Sequence, residues 1–212
     1  MATNNPALEA HIEELREKLA KNPKCGMTQY NLGVALLSIG DWIEAEVCFR
    51  DAVTHSPTLS EAYVQLGGIA MHRGDLEGCL NYNRLASQAR PMFATPFGNI
   101  GFVYLQQGNV KEAAKALERA VKLDPNFVQA LATLGSVYLT EGDAERCLDV
   151  CKRALAIAPQ FGPAYNQMGI AYLELGDKAK AVECIDKAIE TGLEIHPQLL
   201  AEIQQIKAEL PA

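Results

Sequence analysis

The chain has 212 residues, 49% of them hydrophobic and 21% charged, with a formal net charge of −7 and a pI near 5.2. That acidic balance excludes the basic footprint needed for nucleic-acid phosphates or an anionic membrane surface. No apolar run approaches the roughly 18 residues a membrane span requires.

Residues 1–25 read as a capping helix and linker. Pro6 suits a first helical turn, and Leu8, Ile12, Leu15 and Leu19 share one face. Glu9, Glu13, Glu14 and Glu17 stand where a signal peptide would need a basic start and an unbroken apolar stretch, so a cytoplasmic protein is expected. Two uses of this helix stay open: shielding an exposed end of the fold, or docking on a second copy, which would make the chain a homo-oligomer.

From residue 26 to 195 one period governs the sequence. Gly33, Gly67, Gly101, Gly135 and Gly169 recur every 34 residues, and Gly40, Gly74, Gly108, Gly142 and Gly176 follow seven behind. Five uninterrupted repeats result: 26–59, 60–93, 94–127, 128–161 and 162–195. Each reads as two antiparallel helices, over repeat positions 1–14 and 17–30. The second glycine suits a helix end with positive φ. Asp41, Asp75, Asn109, Asp143 or Asp177 comes next, placed to cap the second helix; Asp41 with Glu44 and Asn109 with Glu112 have capping-box spacing. Pro57, Pro91, Pro125 and Pro159 close the first four repeats.

Core columns are as regular. Ala52, Ala86, Ala120, Ala154 and Ala188 recur in the second helix, and Ala45, Cys79, Ala113, Cys147 and Ala181 keep repeat position 20 small. The second repeat departs most. Asn83 replaces a bulky residue at position 24, and Gly68 and Gly78 weaken both helices, by about 1 kcal/mol per interior glycine. It is expected to be the softest repeat. Residues 196–212 form a C-terminal capping helix, with Pro197 opening it and Leu200, Ile203, Ile206 and Leu210 inward.

Tyr63, Leu66 and Gly67 in the second repeat, and Phe97, Ile100, Gly101, Tyr104, Ala113, Leu117, Ala120 and Pro125 in the third, give a pattern that resembles the tetratricopeptide-repeat family. The resemblance implies an all-α, right-handed superhelical solenoid of helix-turn-helix repeats between N- and C-terminal capping helices. It further implies a concave groove lined by the first helix of every repeat. The function implied is a non-catalytic interaction scaffold or adaptor that binds an extended or amphipathic segment of a protein partner.

The same resemblance places groove side chains at repeat positions 2, 5, 9, 12 and 13. Among them stand Val34, Phe102 and Ile170 at position 9, and Met71, Leu105 and Leu139 at position 12. No Lys or Arg occupies any of these positions, which excludes the mode in which family members clamp a chain-end carboxylate. At position 6, Asn31, Gln65, Asn99, Thr133 and Gln167 form a ladder similar to the asparagine ladder of O-linked N-acetylglucosamine transferases. Such amides hold a peptide backbone, tie neighbouring helices to each other, or simply face water. The apolar row at position 12 likewise faces the groove or packs between helices.

No catalytic or cofactor motif accompanies the repeat. His11, His55, His72 and His196 are scattered, and there is no HExxH and no phosphate-cradling glycine loop. Neither an enzyme nor a bound cofactor is expected. Cys147 and Cys151 lie one helical turn apart, which would suit a thiol sensor or the start of a metal site, but positions 20 and 24 point into the core in this family. Cys25, at the junction before the first repeat, is the expected reactive thiol.

Overall fold

A computed structural model describes residues 6–209, which form twelve α-helices and no strand. Helix α1 (Pro6–Lys21) precedes five hairpins. These are α2 (Gly26–Ser38) with α3 (Trp42–His55), α4 (Ser60–His72) with α5 (Leu76–Ala89), and α6 (Ala94–Gln106) with α7 (Val110–Leu123). Helices α8 (Val128–Thr140) with α9 (Ala144–Ile157) and α10 (Gly162–Glu174) with α11 (Lys178–Glu190) complete them, and α12 (Pro197–Glu209) follows. The fold is an all-α helical-repeat solenoid. It divides within α6, after Ile100, into two compact units.

The punctuation expected from sequence takes physical form in both units. All five turn glycines have φ between 75° and 81°, a region where a Cβ would be strained. Asp41, Asp75, Asp143 and Asp177 each accept a hydrogen bond from the backbone N–H three residues on, at 3.0, 2.8, 2.9 and 3.1 Å. Asn109 departs from expectation. Its side chain makes no cap, and its Nδ2 donates to Gln107 Oε1 at 3.3 Å instead, so no capping box forms with Glu112. An amide side chain carries its own donor and has found an acceptor in the turn. The Asp41–Glu44 box is only half made, because the Glu44 carboxylate accepts from Arg16 of α1 at 2.9 and 3.0 Å.

In the first unit, Leu32, Leu36, Phe49, Leu66 and Ile69 form one core with Ile12 and Leu15 of α1. The first glycine of each repeat makes this packing possible. A Cβ on Gly33 would lie 2.7 Å from the Phe49 ring, so the ring occupies the space a side chain would need. Burying Ile12 and Leu15 is worth about 1.5–3 kcal/mol each, against at most about 1 kcal/mol for the exposed Arg16–Glu44 pair. Apolar burial therefore holds α1 in place, and the ion pair sets its orientation.

The second unit repeats the device. A Cβ on Gly169 would meet Ile185 at 2.5 Å, and one on Gly135 would meet Cys151 at 2.9 Å. Helix α12 closes on α11 through buried Ile203 and Ile206, with Lys207 bonded to Asp186 at 2.6 Å and Lys178 to Glu209 at 3.1 Å. Leu200 is half-buried beside them, and Leu210 lies outside the described residues.

The glycines of the second repeat differ in consequence. A Cβ on Gly78 would collide with the Asp75 carboxylate where it now lies, although the other three Asp caps form over residues that carry a Cβ, Glu44, Arg146 and Lys180. Gly68 has nothing within 4 Å of a built Cβ and sits mid-helix, exposed. Gly68→Ala should therefore stabilise the protein by about 0.5–1 kcal/mol, read as a higher urea midpoint at unchanged slope.

Candidate interaction faces on the first helices

The amide ladder proves to be two populations. Asn31 is exposed and Gln65 half-buried, and neither hydrogen-bonds to any described residue. Asn99 Nδ2 instead donates to Asn83 Oδ1 at 2.9 Å, while Asn83 Nδ2 donates to the Cys79 carbonyl at 2.9 Å. Gln167 is held on both sides: Nε2 donates to Ser136 Oγ at 2.6 Å, and Oε1 accepts from the Cys151 thiol at 3.3 Å. Thr133 donates back to the Gln129 carbonyl of its own helix at 2.8 Å.

A register rule explains the split. From Gln65 onward, the residue sixteen positions before each ladder side chain occupies position 24 of the preceding repeat. Where that residue is polar or a thiol, as with Asn83 before Asn99 and Cys151 before Gln167, the amide bonds to it. Where it is Phe49, before Gln65, or Leu117, before Thr133, no such partner exists. The signal was present in the sequence as a hydrogen-bonding residue in a column of bulky apolar ones.

The apolar positions are also unequal. Val34 is 37% and Phe102 40% exposed. Met71, Leu105, Leu139 and Ile170 are half-buried, presenting one edge to solvent. Their row neighbours Leu37 and Leu173 pack against the cores of their units, so position 12 is shared between packing and surface.

In the first unit, α1 adds a wall that the sequence pattern did not reveal. A cleft of ≈ 300 Å³ lies between α1 and α2, lined by Leu8 and His11 on one side and Tyr30, Asn31, Val34 and Ser38 on the other. Its chemistry is an apolar slot with a free amide at the edge. Glu61, at position 2 of the second repeat, is paired with Arg90 at 2.7 Å.

All six cysteines are free thiols, and only Cys25 is not buried. Burial pushes Cys48, Cys79 and Cys184 up to about 11. Cys151 is raised further by its hydrogen bond with Cys147, whose sulfur lies 3.9 Å away, and by burial. Cys25 is shifted the opposite way, because the Thr28 hydroxyl donates to its sulfur at 3.1 Å and favours the thiolate. A brief iodoacetamide pulse on the native protein should label Cys25 alone, read by peptide mass spectrometry; early labelling of Cys48 or Cys184 would contradict this. No group of three or more His, Cys, Asp or Glu among the described residues is arranged to hold a metal ion. No helix among them is long and apolar enough to cross a membrane.

Paired helices repeated five times along the chain define a helical-repeat protein. Tetratricopeptide-repeat models match residues 104–168 and 162–191, and the chain belongs to the tetratricopeptide-repeat family. None of the curated proteins matches the sequence. Among solved structures, the chain is similar to YrrB, described as a TPR protein with an unusual peptide-binding site, at 21% identity and a TM-score of 0.71, covering 92% of this chain and 99% of that one. It is also similar to PilF of Pseudomonas aeruginosa, at 18% identity and a TM-score of 0.73, covering 88% of this chain and 89% of that one. A match to the Cut9–Hcn1 complex has 17% identity and a TM-score of 0.80 over 96% of this chain and 39% of that one. At these identities the likeness establishes the fold. Proteins of this fold act in general as protein-interaction scaffolds.

Proposed function

We propose that the chain is a non-catalytic scaffold that holds an extended or amphipathic segment of a protein partner against its first-helix faces. The carrying observation is the exposure of Val34 and Phe102 on those faces, beside half-buried Met71, Leu105, Leu139 and Ile170. Apolar side chains kept in water at regular spacing are what a partner's apolar anchors would cover. In the first unit, free Asn31 and Gln65 supply donors and acceptors for a partner's backbone, and the α1–α2 cleft accepts one apolar side chain. Asn99 and Gln167 contribute indirectly, by fixing neighbouring helices in register. The peptide-binding description of YrrB supports the same reading. Six free cysteines, five of them buried, fit a reducing compartment such as the cytoplasm.

Self-assembly through α1 is the weaker alternative. Ile12 and Leu15 are already buried against the helix's own chain, leaving α1 little apolar surface to donate to another copy.

Two single variants, Val34→Asp and Phe102→Asp, test the proposal without touching a buried group. Each should retain wild-type helicity by circular dichroism. Partner protein captured from the native lysate by the wild type should bind Phe102→Asp about thirtyfold more weakly, the scale of an interface hot spot. Equal affinity for both variants and the wild type would reject the first-helix faces as the site.

A further inference from the structure

A second surface lies in the other unit, between second helices. A cleft of ≈ 380 Å³ opens between α7 and α9, with Val121, Leu134 and Val150 as its apolar floor. Its rim carries five charged side chains, and two of these are already engaged. Glu118 accepts a hydrogen bond from the Tyr138 hydroxyl at 3.3 Å. Arg146 stacks 4.3 Å above the Tyr138 ring and bonds to Asp143 at 2.5 Å. The remaining three, Lys122 on α7 and Asp149 and Arg153 on α9, have no hydrogen bond or ion pair with any described residue. Lys122 and Arg153 thus stand as two cations without an ion pair, facing the carboxylates of Asp149 and of Glu118, whose only partner is the neutral Tyr138 hydroxyl.

We infer that this cleft is a binding site for an acidic–apolar segment of a protein partner, in which a Glu or Asp stands next to a Leu-like residue. The apolar side chain would cover the Val121–Leu134–Val150 floor. Its neighbouring carboxylate would lie between Lys122 and Arg153, which offer cationic donors from two different helices. Asp149 limits the anion to a single charge, since a phosphate or a run of acids would meet its carboxylate. The same carboxylate can accept a backbone N–H from a peptide, which favours a polypeptide over a simple anion.

The site is independent of the first-helix faces. Leu134, on the cleft floor, and Leu139, the α8 member of the partner-facing row, stand about 140° apart at a helical step of about 100° per residue. The cleft floor and the partner-facing row therefore use different sides of α8.

Nuclear magnetic resonance titration of the ¹⁵N-labelled full chain tests the inference. The probes are acetyl-Ala-Leu-Glu-Ala-amide and its neutral twin acetyl-Ala-Leu-Gln-Ala-amide. The acidic peptide should shift the backbone amides of Lys122, Val150 and Arg153, and the neutral twin should bind about tenfold more weakly. A variant carrying Lys122→Glu and Arg153→Glu, both at exposed positions, should keep the remaining spectrum and lose the response. Equal binding of the two peptides would overturn the inference, as would an unchanged response in the variant. So would shifts confined to Val34 or Phe102, or none up to the peptide's solubility limit. A response to N-acetyl-leucine but not to the amidated peptide would assign the cleft to a chain end, and so also refute it as stated.

Discussion

Phe49→Ala is expected to destabilise the first unit by about 3–5 kcal/mol, the largest effect of any single substitution considered. Phe49 is 0% exposed, and its ring fills the space left by Gly33 while contacting Tyr30 with ring centroids 5.8 Å apart. Truncation removes the transfer energy of the ring and leaves a cavity. Collapse into that cavity is opposed by the two helices, whose separation the ring sets. In a repeat fold, stability is a sum of local and nearest-neighbour contributions, so the loss should be local. Hydrogen exchange should quicken in α2 and α3 and stay near wild-type rates in α10 and α11. Uniform acceleration throughout the chain would show that the repeats unfold as one body; unchanged exchange in α2 and α3 would show that the cavity closes.

Asn83 ranks second. It is fully buried, and Asn99 donates to it while it donates to the Cys79 carbonyl. Asn83→Ala should cost about 1–3 kcal/mol, because it leaves the Asn99 amide without its acceptor and empties a fully buried site. Asn83→Leu combined with Asn99→Ala should recover most of that loss. Leucine stands at this position in the third repeat, as Leu117, and the double replacement removes both polar partners at once. The measurement is the chemical-unfolding midpoint of each variant at equal slope. Should the double variant be no better than Asn83→Ala, the pair would be serving shape rather than hydrogen bonding.

The turn glycines, the Asp caps and the alanine columns were legible because each obeys a local rule: positive φ, orphan amides, close helix approach. The second repeat was misjudged in part. Asn83 reads as a defect until its partner Asn99 is known. The amide ladder failed as a uniform feature because a side chain's freedom depends on what faces it from the preceding repeat. The charges of the α7–α9 cleft were invisible, since ion pairing is decided by distances between helices rather than by spacing along one.

The cysteines carry a consequence for experiment. Four of the five hairpins contain at least one buried thiol: Cys48 in α3, Cys79 in α5, Cys147 and Cys151 in α9, and Cys184 in α11. Each is shut off from reagent until its own hairpin opens, so the rate at which it becomes modified reports that opening. The native chain thus carries a built-in set of clocks, spaced along the repeats and readable peptide by peptide. Running them with and without a captured partner would locate the hairpins that the partner holds closed, with no label introduced.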